Sequence, residues 1–136
     1  MQITDNFTLK ELIHSDVATK KKIDNTPSKI EKENLIRLTK EILQPIRNKY
    51  GKPITITSGF RCEKLNKAVG GVPTSQHIKG EAVDIVCSNN KELWNLIVSM
   101  VKSGEVTVGQ LINEKKLSWI HISLPTKKHR NKIFSL

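Results

Sequence analysis

The sequence predicts an α+β domain in which helices pack on one antiparallel sheet. A length of 136 residues suits one domain, so residues 1–136 are expected to form a single unit. An apolar stripe at helical spacing marks the first half of the chain, and short segments that alternate apolar and polar residues indicate strands. Elements of these two kinds together favour helices packed on a sheet.

Capping patterns predict two of the helices. Thr8 and Glu11 form a capping box, in which each side chain accepts a hydrogen bond from the other residue's backbone N–H. The short helix that begins there is expected to end before the Lys20–Lys22 run. Asn89 and Glu92 form a second capping pattern, ahead of an amphipathic helix.

The longest helix is predicted between Thr26 and about Tyr50. Thr26 suits the N-cap of this helix, and Pro27 suits its first turn. The apolar stripe of the helix, at spacings of three and four, consists of Leu35, Leu38, Ile42 and Ile46. Pro45 lies inside this stripe, where it is expected to kink the helix.

Strands are predicted at residues 54–57, 82–87, 107–112 and 118–124. Residues 66–81 are rich in Gly, Pro and Ser and are predicted to form a loop. The helices are expected to pack on the antiparallel sheet that these strands form.

The last part of this loop and two of the strands carry residues that can bind a metal. His77 lies in the loop, and Asp84 lies on the strand that follows Gly80, a residue that permits a sharp turn. Asp84 is a charged residue in a segment that should be largely buried, and a buried carboxylate must be paired or bound to a metal. His121 lies on the last strand, on the face opposite its apolar set.

Two histidines and one aspartate match the protein ligands of a catalytic zinc, in which water takes the fourth position. The pattern by itself leaves ordinary alternatives open. A histidine on a strand is often a core or edge residue, and an aspartate on a strand is often a salt-bridge partner.

Three separated motifs resemble a known family. Residues Ser75–Asp84 follow the pattern SxHxxGxAxD, Trp119-x-His121 follows about 40 residues later, and Ile56–Arg61 forms a strand and turn upstream. Their order and spacing are similar to the zinc peptidase family of D-alanyl-D-alanine carboxypeptidases, dipeptidases and phage L-alanyl-D-glutamate endolysins, which has the Hedgehog/DD-peptidase fold. The resemblance spans residues 7 to about 124.

The resemblance implies a role for each matching residue. His77, Asp84 and His121 would bind zinc. Arg61 would hold a substrate carboxylate with its planar guanidinium, for which a structural salt bridge is the alternative, and Ser75 would contact the substrate. The implied reaction is hydrolysis: zinc activates a water and polarises the scissile carbonyl, and a carboxylate moves the proton to the leaving amine.

The chain departs from this family at the catalytic carboxylate. The family places it three residues before the last histidine, where this chain has Ser118, which cannot act as that base unaided. We predict that Glu114, at the end of the preceding strand, takes the role. The alternatives are a solvated hairpin residue at Glu114, or a non-catalytic zinc-binding module such as a structural part of a phage particle. The motif gives Glu81, a third carboxylate, no role.

The charge of the chain bears on its partners. The formal net charge is +10, which attracts polyanions of several kinds. Peptidoglycan stem peptides are the partners that the resemblance implies, and anionic cell-wall polymers are candidates on charge. We expect no specific binding of nucleic acid, because only the net charge would favour it and the His and Asp pattern would remain unexplained. The basic run Lys127–Arg130 is as consistent with a solvated surface as with a binding patch, and His129 is expected to do no chemistry.

Cysteines and apolar stretches bear on the compartment. Cys62 and Cys87 form no CxxC pattern and are expected to be free thiols, with one disulfide as the open alternative. No apolar stretch is long enough to span a membrane, and the N-terminus lacks the pattern of a signal peptide. We therefore expect synthesis in the cytoplasm, with action on the cell wall after release or as part of a virion.

Overall fold

The structure, a computed structural model, describes residues 1–136 as helices packed on a sheet. The helices are α1 (Leu9–Ile13), α2 (Asp16–Lys21), α3 (Lys29–Leu38), α4 (Gln44–Tyr50), α5 (Glu63–Ala68) and α6 (Asn90–Ser103). A π-helical turn (Thr39–Leu43) joins α3 to α4, and a 3-10 helix spans Gln76–Lys79. The strands are β1 (Gln2–Thr4), β2 (Phe7–Thr8), β3 (Thr55–Ser58), β4 (Ala82–Val86), β5 (Gln110–Glu114), β6 (Trp119–Ser123) and β7 (Lys132–Ser135).

The main sheet has the strand order β3-β4-β6-β5-β7, and β1 and β2 form a separate hairpin. Four strands of the main sheet pair antiparallel, which confirms the α+β class. The fifth strand, β7, was not predicted, and it pairs parallel to β5. The sequence gives little sign of β7, because this strand follows the basic run and its only partly buried residue is Ile133.

The core lies between the sheet and the helices. Its strand residues from β4 and β6 are Val83, Ile85, Ile120 and Ile122, each 0% exposed. The predicted apolar stripe of the long helix belongs to the same core cluster, as do Leu93 and Ile97 of α6. Because side chains alternate along a strand, Asp84 and His121 point to the opposite face.

The long helix differs from the prediction at its start and in its middle. Its N-cap is Ser28 rather than Thr26, because Ser28 and Glu31 satisfy each other's backbone N–H groups in a capping box. Pro27 therefore lies before the helix. The irregularity predicted at Pro45 takes the form of the π turn Thr39–Leu43 just before it. Proline has no N–H to donate to the preceding turn, and π turns accommodate such interruptions.

Two segments expected to be irregular are helical. Helix α2 runs through the lysine run to Lys21, with Ser15 as its cap. Helix α5 begins before the predicted loop and extends into it. Its N-cap is Cys62, whose Sγ accepts a hydrogen bond from the Leu65 N–H. Six-residue helices show too little periodicity to be recognised in sequence. The capping patterns at Thr8 and Asn89 are confirmed.

Both cysteines are free thiols, as expected. None of the helices is long and apolar enough to cross a membrane.

Candidate metal centre

Three side chains from β4, β6 and the 3-10 helix meet at one point. His77, Asp84 and His121 each offer one ligand atom, and these atoms lie within 4.8 Å of one another. Asp84 and His121 are direct neighbours on the β4–β6 ladder, so their side chains lie side by side on one face. The structure thus brings together the three residues that the sequence predicted as metal ligands.

His77 is oriented by the turn that follows β3. Its Nδ1 lies 2.8 Å from the Gly59 carbonyl oxygen. Because a carbonyl can only accept, Nδ1 carries the proton and Nε2 remains as the donor atom for a metal. That Nε2 lies 3.4 Å from Asp84 Oδ1. A glycine is needed at position 59 because a side chain there would collide with the Leu12 carbonyl, and Gly80 ends the 3-10 helix with φ at 71°.

His121 is oriented by a side chain that the sequence did not single out. Its Nδ1 lies 3.0 Å from Asp84 Oδ1, and its Nε2 lies 3.3 Å from Gln76 Oε1. A histidine whose Nε2–H donates to Gln76 has Nδ1 available for a metal. The two histidines therefore use opposite ring nitrogens: His77 directs Nε2 towards Asp84, and His121 directs Nδ1 towards it.

The electrostatics of Asp84 suit a bound cation. Burial raises the pKa of Asp84, but the imidazoles of His121 and His77, which donate to this carboxylate when they are protonated, outweigh burial and lower the pKa to about 2. The carboxylate is therefore ionised at neutral pH, although its side chain is only 15% exposed. Two imidazole nitrogens and one carboxylate oxygen are a donor set that zinc accepts, so the residues present fit this metal.

Glu114 lies beside these donors. It pairs with Trp119 across the β5–β6 ladder, and the Trp119 Nε1–H donates to Glu114 Oε2 over 3.1 Å. The same oxygen lies 3.9 Å from His121 Nδ1, and the Glu114 side chain is 23% exposed. Glu114 is therefore not the solvated hairpin residue of the alternative interpretation, because Trp119 holds its carboxylate against the site.

Ser118 lies in the hairpin turn between β5 and β6, away from these groups. Its hydroxyl donates to the Lys115 carbonyl over 2.7 Å, and the residue is exposed. Lys115, Lys116 and Leu117 all have positive φ angles, between 46° and 63°, which mark a tight turn. Ser118 does not line the cleft that holds the metal donors.

Arg61 and Ser75 are neighbours at the site. Arg61 Nη2 lies 3.5 Å from Ser75 Oγ, and the buried Nε of Arg61 has no hydrogen-bond partner. Burial lowers the pKa of Arg61, while the nearby charges of Asp84 and Glu114 raise it. Arg61 forms no salt bridge, so the structural salt bridge considered for it is absent and its guanidinium is open to a ligand.

One cleft of about 860 Å³ joins all these groups, a volume in the range of ligand sites. The predicted site residues that line it are Arg61, Ser75, His77, Asp84, Glu114 and His121. Glu81 also lines the cleft.

Two further parts of the cleft were missed by sequence reasoning. Gln76 occupies an unspecified position of the SxH motif, and its contact with His121 joins residues that are 45 positions apart. The turn Thr126–His129 lines the cleft as well, although the sequence suggested only a basic run. For Gln76 the only available signal was its position between Ser75 and His77.

The fold and the donor set define a class: an α+β protein with a zinc-type metal centre in a ligand-sized cleft. The sequence model of the family described as Peptidase M15 matches residues 5–123, and the chain belongs to this family, which confirms the one that the sequence motifs resemble. Peptidases of the family are zinc-dependent, so membership identifies a metallopeptidase with zinc as cofactor. A search of curated proteins finds no match to the chain.

Proposed function

We propose that the chain is a peptidoglycan peptidase of phage or prophage origin, which hydrolyses stem-peptide bonds involving D-amino acids during cell-wall lysis or remodelling. The observation that carries this proposal is the position of Glu114 Oε2, 3.9 Å from His121 Nδ1, in one cleft with Arg61. A metal centre, a held carboxylate and an open guanidinium are the parts that hydrolysis of an acidic peptide requires.

The residues around the metal centre divide the chemistry. His77, Asp84 and His121 would hold zinc, which would lower the pKa of water and polarise the scissile carbonyl. Glu114 takes the proton from the attacking water and passes it to the leaving amine. Trp119 donates to Glu114 Oε2 and so keeps this carboxylate aimed at the reacting bond.

Arg61 and Ser75 bind the substrate in this proposal. The guanidinium of Arg61 has no carboxylate partner within the chain, so its N–H groups can hold a peptide carboxylate in a bidentate way. Ser75 Oγ accepts a hydrogen bond from the His77 N–H over 3.2 Å, and its own hydroxyl proton remains available to the peptide.

The site of action that we propose is the cell wall, reached after release from the cell or as part of a virion. The net charge of +10 favours adsorption to anionic wall polymers, which would concentrate the enzyme at its substrate.

Digestion of purified walls tests the peptidase proposal. Zinc-loaded protein is expected to release peptides from peptidoglycan, detected by mass spectrometry, across walls of several stem-peptide types. His77→Ala lacks one metal donor and is expected to release none. If the wild-type protein binds zinc and releases nothing from any wall type, the peptidase proposal is wrong.

A non-catalytic zinc-binding module of the same fold, such as a structural component of a phage particle, is the second candidate. Ser118 favours it, because a serine occupies the position of the family's usual catalytic carboxylate. This candidate predicts zinc binding without hydrolysis, and no difference between the wild-type protein and Glu114→Gln.

A further inference from the structure

The cleft is cationic at one end. Its lysines and arginine are Arg61, Lys79, Lys127 and Lys128. These residues follow β3, precede β4 or follow β6, and in an antiparallel sheet those strand ends lie together. Glu114 lies at the other end of the sheet, where β5 finishes and β6 begins. The cations and the proposed base therefore enter the cleft from opposite ends of the sheet.

The turn Thr126–His129, here called the basic turn, is fixed rather than loose. The Thr126 N–H donates to the His129 carbonyl over 2.9 Å, and the His129 N–H donates to Thr126 Oγ1 over 3.1 Å. Before the turn, the Leu124 N–H bonds to the backbone preceding β4. After it, Asn131 exchanges hydrogen bonds with the backbone preceding β5. Anchors on both sides hold the lysines of the turn at the cleft.

Three side-chain groups of the basic turn lack partners within the chain. Lys127 and Lys128 form no salt bridge, and the buried Nδ1 of His129 has no hydrogen-bond partner. Burial, followed by the charges of Lys132 and Lys128, lowers the pKa of His129. At neutral pH the charge of the turn therefore comes from its two lysines. An anionic ligand would satisfy these groups.

We propose that the basic turn is a second anion subsite of the cleft, which receives a carboxylate of the bound peptide other than the one held by Arg61. This inference rests on the proposed peptidase function and narrows its substrates to peptides with two free carboxylates. Arg61 and the basic turn lie at the same end of the cleft but belong to different connections. Arg61 follows the edge strand β3, whereas the basic turn joins the central strand β6 to β7, the other edge strand. Because Arg61 and the lysines of the basic turn come from different connections, they can bind two different carboxylates of one peptide.

Kinetics with amidated peptides test the subsite. A stem peptide with two free carboxylates is compared with two derivatives in which one or the other carboxylate is amidated. The double variant Lys127→Ala/Lys128→Ala is expected to raise KM for the parent peptide roughly fivefold and to leave kcat unchanged. It should also lose sensitivity to one amidation and keep sensitivity to the other.

The matched control is Lys20→Ala/Lys21→Ala, which removes the same charge from α2, a helix that does not line the cleft. A KM rise of equal size in this control would overturn the subsite, because general charge attraction would then explain both. Wild-type sensitivity to both amidations in the double variant would overturn it too. So would weaker adsorption to phosphate-bearing wall polymers with unchanged peptide kinetics, since the ligand would then be a polymer.

Failure of the proposed function has a different signature, because the wild-type protein would then cleave none of the three peptides. In that case calorimetric binding of the same peptides to the zinc-loaded wild-type protein and the double variant decides on the subsite. Equal affinities of both proteins for the parent peptide would overturn it.

Discussion

The two faces of the β4–β6 pair have different tasks. On the helix side, Val83, Ile85, Ile120 and Ile122 are 0% exposed in the core. On the cleft side, the Asp84 and His121 side chains are 15% and 10% exposed and meet at the metal centre. Adjacent residues such as His121 and Ile122 point to opposite faces of the sheet, so the first lies at the metal centre and the second contributes to the stability of the core. Substitutions on the two faces should separate these effects.

The largest contrast is expected between His121→Ala and Ile122→Ala. His121→Ala should abolish hydrolysis and reduce bound zinc from about one ion per chain to none, with a nearly unchanged circular dichroism spectrum. Ile122→Ala should lower the free energy of unfolding by about 2–5 kcal/mol, measured in urea, while the folded protein still binds zinc. Normal zinc binding by His121→Ala would contradict the assignment of metal binding to the cleft face.

A second contrast concerns two carboxylates of the same cleft. Glu114→Gln keeps the shape of the side chain and removes the base, so kcat should fall roughly 10²–10⁴-fold while zinc stays bound. Glu81→Gln removes the same charge from the same cleft and should retain most of the activity. Equal rate losses in the two variants would show that the charge of the cleft, rather than a base at Glu114, supports hydrolysis.

A smaller effect is expected from Gln76→Ala. Gln76 Oε1 lies 3.3 Å from His121 Nε2, and loss of such a partner typically costs 10–100-fold in metal affinity. Competition with a zinc chelator measures this loss, and nitrogen NMR of the apoprotein should show the Nε2–H form of His121 losing population. Gln110→Ala, another glutamine of the cleft, is the control. If both variants bind zinc equally well, Gln76 does not position His121.

The residues of the cleft face could be predicted from the sequence where their placement depends on local structure. Strand alternation placed His121 opposite the apolar set of its strand, and the expected burial of the segment around Asp84 predicted a paired or metal-bound carboxylate. Glu114 was predicted as the base from its place at the end of the preceding strand. The bond from Gln76 to His121 could not be predicted, because it depends on where the 3-10 helix packs against β6. The basic turn is held at the cleft by contacts with the segments before β4 and β5 and is followed by β7, whose parallel pairing with β5 no local pattern encodes.

The smallest predicted effect lies on the core side, at the end of β4. Tyr50 Oη lies 3.3 Å from Cys87 Sγ, and the hydrogen bond with Cys87, with burial and the charges of Cys87 and Glu92, raises the pKa of Tyr50 to about 12. An unfolded tyrosine titrates near about 10. The neutral phenol therefore stabilises the fold fully below about pH 10, and this contribution is lost as pH rises towards 12.

Tyr50 is the single tyrosine of the chain, so the ultraviolet absorbance of tyrosinate reports its titration directly. Cys87→Ala should bring the pKa of Tyr50 back towards its ordinary value, whereas Cys62→Ala should leave it raised. Because Cys87 packs against the core and does not line the cleft, hydrolysis at neutral pH should be unchanged in Cys87→Ala. A loss of hydrolysis there would mean that the two faces of β4 are coupled, and that the metal centre depends on how tightly the helices hold the strand behind it.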